Sequence, residues 1–187
     1  SVGKTTTKEF VAAVLSENLR LHKTEGNYNS NIGMPLSMLT MRNDTEVSVL
    51  EMGMSNAGEI EYLSRIAEPD IAIITNIGSS HMEYLGSREG ICKAKLEIVK
   101  GLKRDGILLL NGDEPLLANV YGKSYKTVYI STERENADFF AKNIKVEADG
   151  TRFDIVYNGV TYTDLAVRVV GRHNVYSALF AFAIGML

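Results

Sequence analysis

Gly3-Lys4-Thr5-Thr6 is the group in this sequence best suited to chemistry. A phosphate loop of the form G-x-x-x-x-G-K-[ST] cradles phosphates with backbone N–H groups, meets the β/γ oxygens with its lysine and faces Mg²⁺ with its hydroxyl. Only the second half of that form is present; the first glycine, and the strand before it, would lie upstream of Ser1. Taken alone, the four residues read equally as the basic start of a helix. Other candidates follow apolar runs. Glu51 closes VSVLE, Thr75-Asn76 closes IAIIT, His81 follows in GSSHMEYLGS, and Asn111-Gly112-Asp113 closes ILLLN. A carboxylate such as Glu51 beside a phosphate loop suits Mg²⁺, directly or through water, though it also reads as a solvated strand-end charge. A lone histidine such as His81 is more often structural; near a nucleotide it could bind a second metal or orient a phosphate. Lys95 borders an apolar face of Ile91, Ala94, Ile98 and Leu102, along which it could simply snorkel. Lys93 and Lys100 read as solvent-facing, and Cys92, with no His or second Cys near it, as a packing residue. Asp113 with Pro115, and Asn174 in GRHN, read as helix caps.

Hydrophobic periodicity outlines the secondary structure around these groups. Phe10, Val11, Val14, Leu15 and Leu19 recur at helical spacing, so a first helix is expected from Lys4 to Leu19. Residues 24–33 are Gly- and Asn-rich and read as a loop. Pro35 is expected to open a short helix through Met41. Val47–Leu50, Ile71–Ile74 and Ile107–Leu110 are nearly continuous apolar runs, as parallel strands buried on both faces require, and Val128–Ile130 is a weaker fourth. Helical patterns over Glu59–Ile66, Ser87–Leu102 and Glu114–Tyr121 separate them. This alternation predicts an α/β fold: a doubly wound, mostly parallel sheet of P-loop NTPase type with helices on both faces. Residues 139–170 alternate apolar and polar, with turns at Asp149-Gly150 and Asn158-Gly159, and predict a small antiparallel meander. Asn174 to Leu187 reads as an apolar helix. In such sheets ligands bind beyond the carboxyl ends of the strands, where the polar clusters fall.

Composition narrows the classes. With 187 residues, 45% hydrophobic and 23% charged, the chain supports one full core and is not disordered. The net charge of −3 and the lack of a basic stripe argue against nucleic acid as a partner. No apolar run reaches the roughly 20 residues needed to span a bilayer, and the N-terminus has no signal-peptide core. A single cysteine forbids an internal disulfide and suits a reducing, cytoplasmic setting. The chain starts inside a motif and stops inside a helix, so residues 1–187 are expected to be the middle of something longer.

Together these residues resemble the central ATP-binding domain of the Mur ligases. The motifs run from SVGKTTTKE through EGNYNSNIGMPL, the long block VLEMGMSNAGEIEYLSRIAEPDIAIITNIGSSHMEYLGSREGICKAKLEI and LLNGDEP to GRHNVYSALFA. The resemblance implies an ATP-dependent amide ligase of peptidoglycan precursor synthesis, in the branch that joins D-Ala-D-Ala to UDP-MurNAc-tripeptide through an acyl phosphate. It implies ATP contacts at Gly3, Lys4, Thr5, Thr6, Asn31 and Asn174, with Lys4 on the β/γ-phosphates, Asn31 near the γ-phosphate and Asn174 on the adenine. It implies two Mg²⁺ ions, with Thr5 as the hydroxyl ligand of the first, Glu51 as a metal-binding glutamate and His81 linked to the second. Lys95 matches a lysine carbamylated in several members, where the carbamate supports that second metal. Lys4, Glu51, His81 and Lys95 are thus the expected catalytic set, in a monomer. Ser177 departs from the family, many members of which have a second adenine-side asparagine there. The domains that hold the uridine nucleotide and close the site are absent from this sequence, so residues 1–187 alone are expected to be inactive. Two rivals stay open: a folylpolyglutamate synthase-like ligase, and a nucleotide-binding module that performs no ligation.

Overall fold

The computed structural model describes residues 3–80, 82–122 and 124–187. The elements run α1 (Lys4–Ser16), β1 (Leu21–Lys23), α2 (Gly33–Leu39), β2 (Val47–Val49), α3 (Glu59–Ala67), β3 (Ile71–Ile74), α4 (Met82–Leu85), α5 (Arg88–Leu96) with a 3₁₀ turn (Glu97–Lys100), β4 (Ile107–Asn111), β5 (Lys126–Ser131), β6 (Phe139–Glu147), β7 (Gly150–Tyr157), β8 (Val160–Val167) and α6 (Asn174–Met186). β1 and β2 pair in parallel, and β3, β4, β5 and β6 form a second parallel series that continues antiparallel through β7 and β8. The α/β architecture expected from the sequence is therefore present. The meander is not a separate unit, because β6 joins β5 through Ile130–Phe139 and Ser131–Phe140.

Alternate residues of the buried strands face opposite cores, as strand geometry dictates. Leu109, Val128 and Ile130 join α6 residues Val175, Leu179 and Phe180 on one side. Ala72, Ile74, Leu108 and Leu110 join Ile91 and Cys92 of α5 on the other. The apolar runs are continuous because both faces are covered. Cys92 is buried, with its Sγ 3.5 Å from the Leu116 carbonyl, and Lys93 and Lys100 are exposed.

Several elements differ from the sequence reading. β1 lies in a stretch with no apolar run and exists because its backbone pairs with β2. α1 ends at Ser16, with Leu19 still bonded to the Leu15 carbonyl. Pro35 is the third residue of α2, not its opening one; it still falls in the first turn, where a missing N–H costs no helical bond. The expected helix over Glu114–Tyr121 is a run of turns. There the Glu114 carboxylate accepts from Arg88, at 2.8 and 2.9 Å, and the Tyr129 hydroxyl donates to the Leu117 and Val120 carbonyls. The first hairpin loop is Ala148-Asp149, with Gly150 already paired to Glu147; Asn158-Gly159 has positive φ at both residues, the left-handed pair a two-residue hairpin favours.

Candidate functional site

A cleft of about 880 Å³ runs along residues 47–50 and 71–74, beside β2 and β3. Lys4, Asn29, Asn31, Glu51, Thr75, Gly78, Ser80 and Lys95 also line it. Among the described residues β2 pairs only with β1, and β3 only with β4, so an open edge of each is available to the cleft.

Gly3 precedes α1 with φ of 97°, in the left-handed region that favours glycine, and its carbonyl accepts the Thr7 N–H at 2.9 Å. A Cβ built there would lie 4.0 Å from the Thr75 hydroxyl, which places the start of α1 against the end of β3. The same start brings Thr5 to Glu51, which follows β2: Thr5 Oγ1 donates to Glu51 Oε2 at 3.0 Å. Asn29 Nδ2 donates to Glu51 Oε1 at 2.9 Å, and the Glu51 backbone N–H donates to Thr24 Oγ1 at 3.0 Å. Glu51 is buried, so it is not the solvated strand-end charge that its sequence also allowed.

Lys95, which also lines the cleft, donates to the Asn76 carbonyl beyond β3. Burial, followed by the nearby charge of Lys4, pushes its ammonium down to about 8. A lysine that only snorkelled into water would not show this.

A hydroxyl and a carboxylate at 3.0 Å form an oxygen pair of the kind Mg²⁺ accepts. The described residues hold no group of three or more His, Cys, Asp or Glu placed to hold a metal ion together. A Mg²⁺ held here would complete its octahedron with water and phosphate oxygens, its usual habit in nucleotide sites. The site's residues fit that ion and a phosphate chain.

The remaining expected residues divide. His81 lies outside the described residues. Thr6 is exposed on the first turn of α1. Asn174 does not line the cleft. It is the first residue of α6 rather than its cap, with its amide donating to the Val170 carbonyl at 3.1 Å. Ser177 is turned to α1, its hydroxyl 3.1 Å from that of Thr7. Asp113 caps no helix: its carboxylate accepts from Ser131 Oγ, from the Thr132 N–H at 2.8 Å and from the Tyr176 hydroxyl at 2.9 Å. Sequence reasoning missed Asn29, which sits in the same polar loop as Asn31, and Lys8, one helical turn beyond Lys4. The i, i+4 spacing of the two lysines was the available signal.

The Mur ligase middle domain model matches residues 1–185. UDP-N-acetylmuramoyl-tripeptide–D-alanyl-D-alanine ligase of Bacillus subtilis is 51% identical over 99% of this chain and 39% of its own length. A crystal structure of MurF from Acinetobacter baumannii superposes with TM-score 0.91 at 32% identity, covering 100% of this chain and 40% of that one. MurF ligase from Thermotoga maritima in complex with ADP superposes with TM-score 0.86 at 31% identity, over 98% of this chain and 43% of that one. The chain spans about two fifths of the length of the curated relatives it matches.

Proposed function

The chain belongs to the Mur ligase family, and on that premise we propose that residues 1–187 are the ATP-binding middle domain of a ligase that joins D-Ala-D-Ala to UDP-MurNAc-tripeptide. The observation that carries this reading is the meeting of Thr5 and Glu51 at the start of α1, where a phosphate-binding turn, a hydroxyl and a buried carboxylate converge.

In the proposed reaction a substrate carboxylate oxygen takes the γ-phosphoryl group and ADP leaves. The amine of D-Ala-D-Ala attacks the acyl carbon, phosphate departs and the nitrogen gives up a proton. Phosphoryl transfer asks for positioning and charge neutralisation more than covalent help. Gly3 and Lys4 would hold the phosphates, with Thr6 and Asn31 at their margin and Asn174 toward the adenine. Thr5 and Glu51 would hold one Mg²⁺, and His81 with a carbamylated Lys95 a second. Bound Mg²⁺ neutralises charge developing on the phosphoryl oxygens. The lowered proton affinity of Lys95 supports carbamylation, because CO₂ adds to the neutral amine.

The acyl phosphate must be kept from water, which calls for domains that close over the site. Residues 1–187 are thus proposed to be inactive alone. The parent enzyme is proposed to be a cytoplasmic monomer; among the described residues no helix is long and apolar enough to cross a membrane.

The test uses the full-length protein with Mg-ATP. ADP release that requires both UDP-MurNAc-tripeptide and D-Ala-D-Ala supports the reading. Release with a folate and glutamate instead transfers it to the folylpolyglutamate synthase-like alternative. ATP binding without release under either pairing leaves a nucleotide-binding module.

A further inference from the structure

Among the described residues, Lys8 is a buried cation that the proposed chemistry does not use. Its side chain is 3% exposed, on the second turn of α1, directly behind the phosphate-binding turn. Burying an ammonium carries a desolvation penalty before its partners are counted, and an apolar side chain of similar volume would avoid it. The partners show what the cation holds. Lys8 Nζ donates to the Thr24 carbonyl at 2.7 Å and to the Gly26 carbonyl at 3.3 Å. Glu9 Oε1 lies 3.5 Å away and Glu51 Oε2 3.8 Å away. The two carbonyls are the close contacts, so Lys8 is first an anchor for the loop and only second a counter-ion for Glu51.

That loop leads into the site. Thr24 is fully buried, bonded through its N–H to the Val49 carbonyl and through its hydroxyl to the Glu51 N–H. Five residues on, Asn29 donates to Glu51 Oε1, and its carbonyl accepts the Gly53 N–H at 2.7 Å. One cation therefore joins the helix that begins at the phosphate turn to the loop that carries Asn29 and Asn31.

We propose that Lys8 is a positioning residue: it clamps the 24–31 loop against α1 and so sets Asn29, Asn31 and Glu51 in register with Thr5. This rests on the ligase reading of the same site. Lys8 touches no reacting atom. Its loss displaces groups that face the transferred phosphoryl group more than those that hold the rest of the nucleotide.

The experiment uses full-length ligase carrying Lys8→Met, and separately Gly26→Val. Gly26 is exposed with φ of 51°, so a β-branched residue there strains the turn that presents its carbonyl without entering the core. A misplacement of about 1 Å costs on the order of 100-fold in rate, so Lys8→Met is expected to lower kcat about 100-fold, with KM for Mg-ATP changed less than about threefold. Amide hydrogen exchange over residues 24–31 is expected to quicken about tenfold while β3, β4 and β5 keep their protection. Gly26→Val is expected to show the same pattern at smaller size, and decides the matter should Lys8→Met fail to fold. Unchanged kcat with a protected loop overturns the proposal. So does uniform loss of protection with a lowered Tm, the mark of a merely structural lysine. If wild-type protein releases no ADP with its substrates, the ligase reading fails, and the exchange pattern alone then upholds or overturns the clamp.

Discussion

Thr7 on α1 and Ser177 on α6 stand 170 residues apart in sequence and meet through hydroxyls 3.1 Å apart, both buried. α1 carries Lys4 and Thr5, and α6 opens with Asn174, so this bond ties the helix that begins at Lys4 to the first turn of α6. Leaving one buried hydroxyl without its partner costs about 1–3 kcal/mol, more than the bond itself contributes. Ser177→Ala in the full-length protein is therefore expected to lower unfolding stability by about that amount. Adding Thr7→Val is expected to recover part of the loss, because no orphan remains. A urea-unfolding cycle of the four proteins measures the coupling, and simple additivity would mean that the hydroxyls do not interact.

Glu51→Gln keeps the shape of the side chain and removes its charge. The new amide must also turn a donor toward Thr5 or Asn29, both of which donate to the present carboxylate. Residues that merely support metal ligands change metal affinity about 10–100-fold, so loss of the proposed ligand itself is expected to cost at least that. Mn²⁺ titration of the full-length protein with ADP, followed by electron paramagnetic resonance, reads the change directly. An unchanged Mn²⁺ affinity would remove Glu51 from the metal site.

The sheet was legible where burial on both faces left continuous apolar runs, as in residues 71–74 and 107–110. It was illegible at Leu21–Lys23, whose strand comes from partners 26 residues on rather than from its own composition. The turns over 114–121 escaped for a similar reason: Arg88 and Tyr129 reach them from other elements, bonding the Glu114 carboxylate and the Leu117 and Val120 carbonyls. The site followed the same division. The Gly3-Lys4-Thr5-Thr6 turn stands out by residue type, and Glu51 by its place after a strand. Lys8 does not, since in sequence it is one more lysine on a helix, and only the return of the 24–26 carbonyls makes it an anchor. The His81 expectation lies outside the described residues.

Asp113 gathers the ends of β4 and β5 and the first turn of α6 through Ser131, Thr132 and Tyr176. Every one of these partners donates. Asp113→Asn places an amide donor among them and leaves at least one pair facing donor to donor, at about 1–3 kcal/mol. Burial already pushes the Tyr176 phenol up to about 12. Thermal unfolding of the full-length variant is expected to show a lowered Tm, with loosened exchange in residues 131–134. A wild-type Tm would mean that the cluster rearranges without cost.

Lys95 supplies a pH signature with a definite sign. Burial and the neighbouring Lys4 hold its proton affinity down to about 8, against 10.5 for an ordinary lysine. Between those values the unfolded chain binds the proton and the folded chain does not, so this group's contribution to stability rises with pH across the window and is least below about 8. In CO₂-free buffer, Lys95→Met is therefore expected to gain on the wild type at neutral pH, and that advantage to shrink as pH rises from 8 to 10.5. The same lowered affinity leaves the amine open to CO₂ at mildly alkaline pH. Adding ¹³C-bicarbonate to the full-length wild type is expected to produce a carbamate carbon signal that Lys95→Met lacks. Stripping bicarbonate is expected to depress substrate-dependent ADP release, and restoring it to recover the rate. An unchanged rate, together with no carbamate signal, would mean that Lys95 acts as an amine. Its bond to the Asn76 carbonyl would then be its working state.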